Sequence, residues 1–215
     1  MNDVRHIETE YGVTGMYSYS SEYLDFEQYV VFAKETRLSI TLAIIAIAVI
    51  MLLVTVSLRV TLIVLASVFL TEMFLVSLIY YWGLTFNSIV VVNIIVAIGF
   101  AVDYSAHIAY TYLTVDPPKL KQYKSIDAKR AYKAKIALSR MGSSIFHGGL
   151  ALFLAIIVLS GSKSYIYTVF YRTWSGIIVF GMINGFIFIP VALSMIGPVD
   201  KVMKKEKKSY RLTTY

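Results

Sequence analysis

Asp103 and His107 lie four residues apart in the stretch Gly99-Phe100-Ala101-Val102-Asp103-Tyr104-Ser105-Ala106-His107, inside an apolar run from about Ser88 to Leu113. Residues at successive i+4 steps share one face of a helix, so Gly99, Asp103 and His107 form a single column. The run is long enough to cross a bilayer as a helix. Counted along the helix axis, Asp103 falls about 4 Å and His107 about 10 Å beyond the midpoint of the run. A carboxylate at that depth can bind and release a proton or hold a small cation, and an imidazole one turn away can receive the proton. The plain alternative is an Asp–His pair that only ties helices together.

Other polar side chains within apolar runs widen the candidate set. Asn93, Tyr104 and Ser105 add hydrogen-bonding groups on the same helix, and Gly99 leaves room for a neighbouring helix to approach closely. Glu72 lies near the middle of the preceding run and His147 near the start of a later one, at a depth close to that of His107. These depths suggest one polar seam shared by Asp103, His107 and His147. The structural alternatives are a backbone-bonded histidine at position 147 and a helix-to-helix hydrogen bond at Glu72. Asn184 reads as packing glue between helices.

Enzyme chemistry is not expected. The sequence has no phosphate-binding glycine loop, no Gly-x-Ser-x-Gly elbow and no His-Glu-x-x-His zinc motif. Ser105 lies two residues from both Asp103 and His107, which turns it to the opposite side of a helix and rejects a hydrolase triad. With no cysteine there is no disulfide framework, thiolate metal site or cysteine nucleophile. No metal site or cofactor is read.

The elements that must position these residues are membrane helices. Of the 215 residues, 58% are hydrophobic and only 15% charged, more uninterrupted apolar sequence than a soluble core needs. The expected fold is all-α, a polytopic bundle of five transmembrane helices. These run from about Leu38 to Leu58, Val60 to Trp82, Ser88 to Leu113, Ser143 to Ser160 and Trp174 to Ile196, each near the roughly 20 residues a span requires. The first three are joined by very short links and must run up, down and up. The expected organisation is a non-cytoplasmic segment at 1–37, a membrane domain at 38–196 with a basic amphipathic connector at 114–142, and a basic tail at 197–215.

Orientation follows from the basic residues. The formal net charge is +7, yet the lysines and arginines cluster beside the spans, so nucleic acid is not an expected partner. Fifteen of the 20 lie between Thr114 and Gly142, after Pro198, or at Arg59, all on one side of the membrane. That side is read as cytoplasmic and holds the C-terminus. Seven acidic residues precede Leu38 on the other side. The start Met1–Arg5 has no apolar stretch behind it, so no signal peptide is expected. Between Ser125 and Met141 the alternation of apolar residues with lysines fits an amphipathic helix, lying among lipid headgroups or serving as a solvated connector.

The segment Ile98-Gly99-Phe100-Ala101-Val102-Asp103-Tyr104-Ser105-Ala106-His107-Ile108-Ala109-Tyr110 closely resembles the second-repeat motif of the Patched and Patched-related proteins. That group stands with the Niemann–Pick-type sterol transporters and the Dispatched proteins in the resistance–nodulation–division superfamily. The resemblance extends to Asp25-Phe26-Glu27-Gln28-Tyr29, Glu72, Trp82-Gly83-Leu84 and Asn87. It is also carried by Gly142-Ser143-Ser144 with Gly148-Gly149, and by Pro190-Val191-Ala192-Leu193-Ser194 with Gly197-Pro198. It covers roughly Leu24 to Pro198 and implies that the five spans are helices eight to twelve of a twelve-helix permease.

What the resemblance implies for function is specific. A Gly-x-x-x-Asp motif in the tenth helix, here Gly99 and Asp103, would couple a proton or sodium gradient to movement of sterol or another lipid. His107 and Glu72 are the further residues it points to. The implied partners are membrane lipids, sterol among them, a proton or sodium ion, and the missing first repeat, supplied by the same polypeptide or another chain. A multi-pass protein of the plasma membrane or an internal membrane is implied. The alternatives are a non-transporting sterol-binding receptor and a truncated fragment or assembly subunit.

Overall fold

The computed structural model describes residues 21–115 and 123–199, with side chains from residue 31 in the first segment. Residues 1–20, part of the connector read at 114–142 and nearly all of the basic tail therefore lie outside the described residues. The chain falls into two compact units that divide within its first helix, one reaching to Thr41 and the other starting at Leu42. In the first, the helix is reinforced by the Arg37 side chain donating to the Ala33 carbonyl (3.2 Å) and the Thr41 hydroxyl donating to the Arg37 carbonyl (2.7 Å).

The described residues form helices α1 (Ser21–Thr55), α2 (Leu58–Tyr81), α3 (Ser88–Thr114), α4 (Ile126–Ile157), α5 (Tyr165–Ile183) and α6 (Ile189–Ile196). A short 3₁₀ turn, Val158–Gly161, ends α4, and a π-helical segment, Asn184–Phe188, joins α5 to α6. Five stretches are long and apolar enough to cross a membrane: Val31–Thr55, Leu58–Tyr81, Ser88–Thr114, Ile126–Gly161 and Tyr165–Ile196. The all-α membrane bundle expected from the sequence is the fold observed.

Short links hold the antiparallel order. Only Val56 and Ser57 separate α1 from α2, and Val56 adopts a left-handed φ of 48°, a strained conformation for a β-branched residue. The Thr55 hydroxyl ties this corner down, lying 2.7 Å from the Met51 carbonyl and 3.1 Å from the Thr61 hydroxyl. At the far end of α2, Gly83 takes φ 62°, which lets the N–H groups of Gly83 and Leu84 donate to the carbonyls of Tyr80 and Ile79. Asn87 then opens α3, its side-chain oxygen accepting the Val90 N–H at 3.1 Å.

Three elements depart from the spans read in the sequence, the first of which is the apolar stretch Val31–Thr55 at the end of a helix that already begins at Ser21. The amphipathic segment at 125–141 and the fourth span form one continuous helix, α4, about 48 Å long at 1.5 Å per residue. No proline interrupts it, and Gly142 at the join is buried under Phe186 instead of breaking the helix. The last span is longer than read, starting at Tyr165, and widens into a π turn before Pro190. Proline has no N–H for the Phe186 carbonyl and its ring crowds that group, so the turn before it opens to the wider i+5 pattern.

The core lies where α2, α3, α4 and α6 meet. Val60, Val64, Ile108, Tyr112, Ala137, Ile189 and Leu193 are buried together there. Outward-facing positions are also apolar, including Leu53, Leu62, Phe69 and Leu154, so this bundle meets a hydrocarbon solvent. At one end Arg130 closes α6, donating to the carbonyls of Gly197 (2.8 Å) and Met195 (3.0 Å). A cation placed against the exposed carbonyls of a helix C-terminus is the favourable arrangement.

Candidate functional site

The site is built on α3, which presents two unlike faces. One carries Asn93, Ala97, Ala101, Tyr104, Ser105 and Ile108, all buried against the other helices. The other carries Gly99, Asp103 and His107, all exposed. A helix fixed on one side by close packing thus holds a carboxylate and an imidazole on its open side.

That fixing is done by hydrogen bonds and glycine contacts between helices. The hydroxyls of Ser67 on α2 and Ser105 on α3 are 2.9 Å apart, and the Asn184 amide donates to the Thr71 hydroxyl at 2.8 Å. The Trp174 indole N–H donates to the Asn93 side-chain oxygen at 3.2 Å, and the same indole meets Phe100 edge-on at 5.2 Å. Tyr104, next in sequence to Asp103, packs onto Gly181 and Gly185, where added Cβ atoms would come within 2.6 Å and 3.2 Å of it. Gly181-x-x-x-Gly185 therefore forms the seat for Tyr104, as small residues do where membrane helices approach closely.

Asp103 and His107 open into a cavity of about 430 Å³ between α3 and α4. Phe100 and Tyr104 share its α3 wall, and Ser144 and Gly148 contribute from α4. The wall mixes one carboxyl, one imidazole and a serine hydroxyl with apolar surface. Such an arrangement suits reversible binding of a proton or a weakly held cation. Among the described residues no three His, Asp, Glu or Cys come together as metal ligands would.

The other sequence candidates are distributed elsewhere. His147 points away from this cavity: its Nδ1 lies 2.6 Å from the Ser143 carbonyl and the ring meets Phe146 edge-on. Glu72 is outside the cavity wall as well. Both of its carboxyl oxygens are buried on α2 with no hydrogen-bond partner among the described residues. Asn93 and Ser105 serve in the interhelical bonds just described. At Gly99 an added Cβ would meet nothing within 4 Å, so the space that residue leaves is open in this bundle.

Sequence reasoning missed Ser144 and Gly148 as wall residues and the glycine seat of Tyr104. The signals were present as small residues spaced four apart, 144 with 148 and 181 with 185, each pair sharing a helix face.

No family model matches the chain. Individual proteins do. The chain is 30% identical over 192 residues, 88% of its length, to the NPC intracellular cholesterol transporter 1 homolog 1b of Drosophila melanogaster. It is 32% identical over 85% of its length to the NPC intracellular cholesterol transporter 1 of Sus scrofa. A Niemann-Pick type C1-related protein of Toxoplasma gondii is 29% identical over 80% of the chain. The match covers 14% of each of these relatives. The resemblance read around Asp103, to the Patched-related and Niemann–Pick-type proteins, thus holds over most of the chain.

Proposed function

We propose that these helices are part of a sterol or lipid transporter, and that Asp103 is the carboxylate through which a proton or sodium gradient drives it. The observation that carries this reading is the exposure of Asp103 and His107, side by side near mid-span, into the cavity between α3 and α4. Three relatives whose names mark them as cholesterol transporters or Niemann-Pick type C1-related proteins support the sterol part of it.

In this reading Asp103 takes up the ion from one side, and His107, one turn along, relays the proton or stabilises the ion's departure. Ion binding removes a charge from the open face. That change alters how well the face packs against a neighbouring helix bundle, and so links ion occupancy to movement. Internal repeats build the central site of such transporters, so the neighbour is a first-repeat bundle from the same polypeptide or another chain. The basic segments at 119–140 and 201–211 set the C-terminal side as cytoplasmic.

Glu72 is a second acidic group within the membrane, held apart from the cavity. His147 stands as a polar group at the start of the span, bonded to its own helix. The test is substitution of Asp103 by Asn in the assembled transporter. The reading expects gradient-dependent sterol movement to disappear while the helices remain folded. A sterol-binding receptor that does not transport would instead redistribute no sterol in response to a gradient, with or without Asp103.

A further inference from the structure

From Asp103 to the C-terminal end of α3, the open face of the helix stays polar. Asp103, His107, Tyr110 and Thr114 follow at steps of four, three and four residues, which keeps them within about 60° of arc. All four are exposed. The column covers about 17 Å, from near mid-span to the last residue of α3, on the side where the basic residues gather. In the other direction the same face is dry. From Asp103 back to Ser88, about 22 Å, it continues as Gly99, Val96 and Val92, with no side-chain oxygen or nitrogen before Ser88. Asn93 lies on that stretch but turns into the bundle, where it is buried and accepts from Trp174.

The polar groups suit a proton. A neutral imidazole accepts a proton at one ring nitrogen and gives one up at the other. A phenol or alcohol accepts at its oxygen while releasing its own hydrogen. Neighbours in the column are about 4.5–6 Å apart along the axis, a gap that one water bridges. The cavity beside Asp103 and His107, about 430 Å³, is roomy enough to hold water. A sodium ion fits poorly, because a hard cation takes several oxygens at once and this column offers them about one turn apart. On α4, Lys133 lies over the Tyr112 ring on the buried side of α3, and Arg130 holds the carbonyls that end α6. Neither cation stands in the column.

We propose that a proton bound at Asp103 exchanges with the C-terminal side of α3 alone, along His107, Tyr110 and Thr114. The Asp103 carboxyl gives its hydrogen to the imidazole. The imidazolium releases its opposite hydrogen to water, and Tyr110 takes up that hydrogen as it lets its own go. Access from the far side then falls to the neighbouring bundle, since α3 offers no proton carrier between Asp103 and Ser88. The proposal rests on the reading of Asp103 as the coupling carboxylate, and the two fail separately.

The sequence has no cysteine, so one introduced here is the sole thiol of these helices. Tyr110→Cys and Val92→Cys each lie four residues from an end of α3, at matched depth. The experiment compares their rates of reaction with a charged, membrane-impermeant thiol reagent, applied from the nearer side to the assembled transporter in vesicles. Exposure in the bundle would favour Val92, at 54% against 42% for Tyr110. A water path predicts the reverse, with reaction at least about tenfold faster at position 110. Tyr110→Phe keeps the ring and removes only the hydroxyl. It is expected to slow sterol movement driven by a pH gradient about tenfold and to change its dependence on heavy water, with sterol binding unchanged. Equal cysteine reactivity, or a Tyr110→Phe transporter running at the parent rate, would overturn the exit path while Asp103 remained essential. Movement driven by sodium at constant pH would overturn it too. If the coupling reading itself fails, Asp103→Asn transports as the parent does.

Discussion

Replacing Gly181 by alanine drives one methyl group into the ring of Tyr104. An ideal Cβ at Gly181 lies 2.6 Å from Tyr104 Cδ2 and 2.9 Å from Cε2, distances that real Cβ atoms do not adopt. Tyr104 is only 6% exposed, and its backbone is held against Gly185, so the ring cannot swing clear. Overpacking costs about 1–3 kcal/mol, and a Cβ contact of 2.6 Å belongs at the upper end, about 2–3 kcal/mol. Alanine returns up to about 1 kcal/mol through its better helix propensity. The net expectation is a loss of about 1–2 kcal/mol, roughly tenfold in the folded-to-unfolded ratio.

Gly99→Ala is the matched control. There the same methyl meets nothing within 4 Å, so the protein is expected to keep or slightly gain stability. The assay is reversible unfolding in mixed micelles, followed by helical circular dichroism, for both variants and for Gly181→Ala with Tyr104→Leu. If the clash is the cause, the double variant recovers most of the loss and the cycle gives a clear coupling energy. A Gly181→Ala protein as stable as the parent, or a loss that Tyr104→Leu does not relieve, would refute the reasoning.

Other consequences follow from the same packing. Asn184→Ala removes the hydrogen bond to Thr71 and is expected to cost about 0.6 kcal/mol, and no more than about 1.7 kcal/mol, in the same unfolding assay, the average and upper values for bonds between membrane helices. Arg130→Ala leaves the carbonyls of Met195 and Gly197 without their donor. It should speed amide exchange in α6 and lower stability by about 1–2 kcal/mol. Pro190→Ala restores the missing N–H and is expected to tighten Asn184–Phe188 toward an α-turn, visible as new exchange protection at position 190.

The sequence made the helices legible because a membrane span is a compositional signal: about 20 apolar residues need no tertiary context to be recognised. Helix ends were less so. Hydropathy marks where hydrocarbon begins, and α4 passes through that boundary without a break, since nothing at Met141–Ser144 terminates a helix. The Asp103–His107 column was readable from i+4 spacing alone. The companions of that column were not. His147 shares its depth but is rotated away, because depth follows from counting residues whereas facing depends on how α4 packs on α3. The wall residue Ser144 and the seat of Tyr104 on Gly181 and Gly185 exist only once helices far apart in sequence have met. The π turn had one visible sign, Pro190, whose effect falls on the residues before it.

The claim that an ion gradient acts through Asp103 is tested most directly by sterol movement between vesicles. The protein to use is the assembled transporter containing these helices, with and without a pH or sodium gradient, compared with its Asp103→Asn variant. The account predicts gradient-dependent movement in the parent and none in the variant, with unchanged helical content. Gradient-driven movement that survives the substitution would contradict it.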